Sequence, residues 1–176
     1  MIIETILEVL KITIPSLIVL LTAYLVIRSF MKNESQKQEH QLRMETRKES
    51  LPIRLQAYER LALFMERISP YNMINRVRDP NMTAKDLQLA LIKTIRTEYE
   101  HNLSQQIYVS AQTWNTVRLS KDEMIKLINL ISASLPPDRS GKELSKAIFD
   151  YLMQMEETLP TQKALDVINA EAKKVL

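Results

Sequence analysis

Glu98, Tyr99, Glu100 and His101 hold a carboxylate and an imidazole at E-x-x-H spacing. On a helix that spacing puts Glu98 and His101 on one face. A di-iron bundle needs two such pairs and two further Glu. The other histidine, His40, has Lys37 three residues before it, so one chain cannot complete that set. A pair on a helix surface is the simpler reading of Glu98 and His101. A hydrolytic triad would draw on the same two histidines, and neither lies near a G-x-S-x-G turn. Neighbouring carboxylates, Glu98 with Glu100 and Glu156 with Glu157, point apart on a helix and imply no acid–base pair.

The chain has one glycine, Gly141, and no cysteine. A phosphate-binding loop and a dinucleotide turn each need at least two glycines. Zinc knuckles, disulfide frameworks and thiol nucleophiles need cysteine. No cofactor, metal or catalytic residue is therefore expected. Charge is close to balanced, with 24 basic and 21 acidic residues and a net of +3. The two signs interleave and leave no basic stripe, so no nucleic-acid partner is expected.

The elements that would position these residues begin with an apolar run. Ile12 to Ile27 carries no charge over 16 positions and is bracketed by Lys11 and Arg28. From Lys11 to Arg28 a helix spans about 27 Å, close to the ~30 Å hydrocarbon core of a bilayer. Both bracketing side chains can snorkel to its edges. Glu4 and Glu8 stand where a cleaved leader would carry a positive region. Residues 1–30 are therefore expected to form a transmembrane anchor. Arg28, Lys32, Lys37, Arg43, Arg47 and Lys48 follow the apolar run, against Lys11 alone before it. That asymmetry predicts an N-terminus outside and the remaining chain in the cytoplasm. Residues 31–50 are polar, with basic and acidic residues mixed, and predict a solvated stalk.

Residues 51–176 predict a cytoplasmic bundle of five to six helices. On a wheel of about 100° per residue, Ile53, Phe64, Ala57, Ile68, Leu61, Met65, Tyr58, Leu51, Ala62 and Leu55 fill one wide arc. So broad an apolar arc needs partners on two sides. Arg54 falls inside the arc, as a snorkelling or ion-paired residue; Leu63 falls on the polar face. Tyr71 to Pro80 reads as a connection with one turn near Asn72 to Val77. Thr83 with Asp86, Ser120 with Glu123 and Ser140 with Glu143 have capping-box spacing and predict three helix starts. The helix from Thr83 turns Leu87, Leu91, Ile95 and Tyr99 inward. Ile107 to Val109 is a brief β-like stretch, and Ser110 to Arg118 a short helix. The helix from Ser120 turns Met124, Leu127, Ile128, Ile131 and Leu135 inward. The next turns Leu144, Ile148, Tyr151, Leu152 and Met155 inward. Thr161 is expected to cap a last helix that turns Ala164, Leu165, Ile168, Ala172 and Val175 inward.

Two stretches, LPIRLQAYERLALFMERISP at Leu51 to Pro70 and EYEHNLSQQIYVSAQTW at Glu98 to Trp114, resemble an uncharacterised family of bacterial single-pass membrane proteins with a cytoplasmic helical domain. The resemblance implies that topology and setting, the bacterial cytoplasmic membrane, and brings no activity or site residue.

The fold class expected is all-α: a transmembrane helix, a polar helical stalk and a cytoplasmic bundle. The function expected is a non-enzymatic interaction module, a scaffold or accessory subunit, integral to the membrane through one span. An unidentified protein, or further copies of the chain, would be its partner. Arg60, Leu63 and Arg67 on the first helix of the domain, and the stretch from Gln105 to Trp114, are the candidate interaction surface. The alternative is a ligand-binding or enzymatic bundle with a pocket near Arg54, Glu98 and His101.

Overall fold

Apolar residues recurring at three- and four-residue spacing build the helices after residue 50. The computed structural model describes the backbone of residues 2–136, 138–155 and 157–176. It also describes their side chains, except those of residues 2–10, 12, 14, 15, 33, 35, 36, 39, 40, 42, 43, 46 and 47. His40 is thus outside the described side chains. The helices are α1 (Ile2–Ile68), α2 (Pro70–Val77), α3 (Ala84–His101), α4 (Ala111–Ala133), α5 (Gly141–Gln154) and α6 (Pro160–Val175), with a 3₁₀ turn at Leu103–Ile107. Among the described residues there is no strand, only an isolated antiparallel bridge between Thr83 and Ser140. The protein is all-α, in agreement with the sequence pattern.

The chain divides into two units, Met1–Glu49 and Ser50–Leu176. In the first, Leu17, Ile18, Val19, Leu20 and Leu21 follow one another on α1, and each is more than half exposed. Five consecutive residues cover a full turn, so the apolar surface runs round the helix rather than down one stripe. The described uncharged side chains run without a break from Ser16 to Ile27, about 18 Å of helix. Among the described residues no helix is long and apolar enough to cross a membrane.

In the second unit one core joins all six helices. Leu61, Phe64, Met65 and Ile68 of α1 are fully buried with Met73 and Ile74 of α2 and Leu87, Leu91 and Ile95 of α3. Val117, Met124 and Ile128 of α4, Leu144 and Ile148 of α5, and Ala164 and Ile168 of α6 complete it. Helix α4 packs most extensively on α6, then on α3. Each such aliphatic or aromatic side chain contributes roughly 1.5–3 kcal/mol by leaving water. The core departs from the expected arcs at two ends: Ile53 is 49% exposed and Tyr151 is 40% exposed.

Two helix starts are locked together. Thr83 and Asp86 form a reciprocal capping box at α3, and Ser140 and Glu143 form another at α5. The backbone joins them, Gly141 N–H donating to Met82 O at 2.7 Å and Ala84 N–H donating to Arg139 O at 2.5 Å. A glycine suits the position, because a Cβ at 141 would lie 3.0 Å from the Met82 carbonyl oxygen, a tight contact with backbone.

Four local expectations are corrected. The stretch 70–80 contains a full helix, α2, with Pro70 in the first turn where its missing N–H costs nothing. Ile107 is the last residue of a 3₁₀ turn and Tyr108 its C-cap, so Ile107 to Val109 does not extend as a strand. Ser120 does not start a helix, since α4 runs unbroken from Ala111 to Ala133 and is capped by Ser110, whose hydroxyl accepts from Thr113 N–H. Thr161 is not a cap either: α6 starts at Pro160, and Thr161 is 2% exposed.

Candidate functional site

A polar cluster of the second unit joins α1, α4 and α6. Helix α6 turns Ala164 and Ile168 inward, and Glu171 continues that stripe three residues later. Its carboxylate therefore enters the packed side of the domain, where it must be met by donors. Oε1 accepts from the Tyr58 hydroxyl at 2.8 Å and from the Ser110 backbone N–H at 2.8 Å. Oε2 accepts from the Ser110 hydroxyl at 2.5 Å and from the Thr113 hydroxyl. Ser110 Oγ in turn accepts from Thr113 N–H at 3.2 Å. Glu171 thus sits at the N-terminus of α4, where a negative charge is favoured by the helix dipole.

Burial alone would raise the Glu171 carboxyl. Hydrogen bonds from the Ser110 and Thr113 hydroxyls, the Ser110 backbone N–H and the Tyr58 hydroxyl outweigh it and lower the pKa from 4.5 to about 2. Tyr58 is shifted upward, first by burial and then by the bond to Glu171. A carboxylate that is so acidic, with both oxygens committed, is a poor general base near neutral pH. The cluster is a lock between helices.

Arg54 extends the lock outward. Its Nη2 donates to the Tyr58 hydroxyl at 3.0 Å and its Nε to the Tyr108 carbonyl oxygen at 3.3 Å. Ile53, Arg54, Ile107, Tyr108, Val109 and Glu171 line an open cleft of about 370 Å³. Ile107 is 74% exposed at its edge.

A second cluster centres on Glu98, which pairs with Arg67 at 3.2 Å and with Arg76 at 3.7 Å. Arg76 also donates to the Arg67 carbonyl oxygen at 3.3 Å. Both arginines are partly solvated, so each pair contributes at most about 1 kcal/mol. His101 is exposed at the end of α3. No hydrogen bond or ion pair joins Arg54 to Glu98, and neither Glu98 nor His101 lines the cleft at Arg54. Among the described residues no three His, Cys, Asp or Glu side chains gather as metal ligands.

The five surface candidates separate. Arg60 and Leu63 are exposed on α1, and Arg67 is half-exposed and tied to Glu98. Gln105 is 7% exposed inside the 3₁₀ turn, which leaves its side chain little to offer a partner. Trp114 is half-buried and stacked on Tyr99 at 5.5 Å, with Phe64 6.1 Å from Tyr99 and the Lys121 ammonium 4.4 Å over the Tyr99 ring. Gln105 and Trp114 pack rather than project. Two site residues lie outside the expected set: Tyr58, which the apolar arc of α1 conceals, and Glu171, whose signal is a charge on the inward stripe of α6.

A helical domain closed by a buried-end polar lock, with a small apolar cleft beside it, defines an all-α bundle protein. The chain belongs to DUF7935, a family of unknown function, whose family model matches residues 4–175. No curated protein and no solved structure matches the chain.

Proposed function

We propose that the protein is a non-enzymatic interaction module, a scaffold or accessory subunit, held by α1 at the inner face of a bacterial cytoplasmic membrane with its N-terminus outside. The observation that carries this reading is the succession Leu17 to Leu21, apolar and exposed all round the helix. In water such a surface costs roughly 25 cal/mol for each Å² left uncovered. The uncharged sequence from Ile12 to Ile27 has the length to place that surface in hydrocarbon, and the basic residues from Arg28 onward favour the cytoplasmic side. Tethering raises the local concentration of the domain near membrane partners without any added contact. The non-enzymatic part of the reading is supported by Glu171, whose acceptors are committed to neighbouring helices.

Carbonate extraction of membranes from bacteria expressing the full chain tests the anchor. The chain is expected in the pellet, and the double variant Val19→Lys, Leu21→Lys in the supernatant, because each mid-span lysine costs about 2.5–3.5 kcal/mol on insertion. Release of the unaltered chain by carbonate would refute the anchor.

A further inference from the structure

The geometry points to the cleft beside Arg54 as the docking site for a segment of a partner protein that presents a carboxylate next to an aliphatic or aromatic side chain. This rests on the interaction-module reading and supplies the chemistry of its partner. The rim of the cleft is apolar: Ile107 is 74%, Ile53 49% and Tyr108 38% exposed, gathered around about 370 Å³ of open space. Its wall is polar at Arg54. A guanidinium has five N–H donors, and Arg54 spends one on Tyr58 and one on the Tyr108 carbonyl. The remaining donors belong to a half-buried cation in the cleft wall. Planar guanidinium donors match a carboxylate in a two-point geometry that an ammonium cannot reproduce.

Glu171 lines the same cleft, yet its oxygens already accept from Tyr58, Ser110 and Thr113. A basic partner would therefore find no open acceptor there, whereas an acidic one finds open donors on Arg54. The same network fixes Tyr58, the Tyr108 carbonyl and Ser110, so the wall is organised before a partner arrives, and little ordering cost falls on binding. The cleft is shallow and open at its Ile107 edge. Small-molecule sites enclose most of their ligand, so an extended segment that continues past the rim suits this one better.

The experiment uses the full chain in detergent micelles and short fluorescent peptides with Glu-Leu or Asp-Phe centres, each paired with its Gln-Leu or Asn-Phe counterpart. The acidic peptides are expected to bind about tenfold tighter than the amides, as one charge-assisted pair implies. Arg54→Gln should erase that difference, Arg54→Lys should keep part of it, and Arg60→Gln should leave it unchanged. Ile107→Ser alters an exposed side chain and should weaken every peptide without disturbing the fold. Equal binding of acidic and amide peptides, tighter binding of lysine-centred peptides, or full binding by Ile107→Ser would overturn the proposal. So would hexanoate alone matching the peptides. Carbonate extraction of the same variants reads the anchor separately, since loss of peptide binding leaves membrane retention intact.

Discussion

The Tyr58 hydroxyl on α1 donates to Glu171 on α6 at 2.8 Å, across 113 positions of sequence. That single bond ties the first helix of the domain to the last, and Ser110 and Thr113 bring the start of α4 to the same carboxylate. The side chain that closes the bundle is thus a charged one, kept ionised by donors from two other helices.

Replacing Glu171 by Gln should lower domain stability by about 2 kcal/mol, the range for hydrogen bonds to a charged group. The pH dependence follows from the depressed pKa. The folded carboxyl ionises at about 2, against an ordinary 4.5. Its contribution is therefore present in full above about 4.5 and is lost as pH falls from there through about 2. Asp86 and Glu143 are also lowered, chiefly by their capping bonds, so the unaltered chain and Glu171→Gln must be compared. Urea unfolding followed by the fluorescence of Trp114, between pH 7 and pH 2.5, should show the two midpoints converging as the medium acidifies. A gap that stays constant would rule out the carboxylate as its source.

Ser120 is 3% exposed and its hydroxyl has no hydrogen-bond partner. Ser120→Ala should leave stability unchanged or raise it by up to about 1 kcal/mol, because an unsatisfied buried hydroxyl is removed. Were Ser120 a helix cap, the same substitution would cost about 1 kcal/mol. The sign of the shift in the thermal midpoint decides between them.

Gly141→Ala places a methyl group 3.0 Å from the Met82 carbonyl oxygen and against Leu87. The backbone must yield, since the facing atom is not a flexible side-chain end. A loss of about 1–3 kcal/mol is expected, in the range for overpacking. Amide exchange at Gly141 and Ala84 should quicken in the variant. An unchanged unfolding midpoint would mean that the two loops are not clasped as described.

Helix content and most of the core were legible because the apolar stripes of α1 after residue 50, α3, α5 and α6 repeat at helical spacing, broken only by Arg54 on α1 and Glu171 on α6. The failures have specific causes. Ser120-x-x-Glu123 has the spacing of a cap, yet Val117, Ser120, Met124 and Ile128 form one continuous inward stripe, and that continuity outweighs the local motif. Pro160 supplies the first turn of α6, so Thr161 has no N-cap position to fill. Ile53 falls on the apolar arc of α1 but is 49% exposed beside the open cleft. Arg54 was visible as an anomaly within that arc. The Glu171 end of the lock was not paired with it, because nothing in a one-dimensional pattern links residue 58 to residue 171.

The absence of cysteine from the sequence makes labelling of single introduced cysteines the most direct test of the tethered-module account. In intact bacteria, a membrane-impermeant maleimide should modify Glu8→Cys and leave Lys146→Cys untouched until the cells are lysed. Modification of Lys146→Cys in intact cells, with Glu8→Cys protected, would place the helical domain on the opposite side and contradict the account.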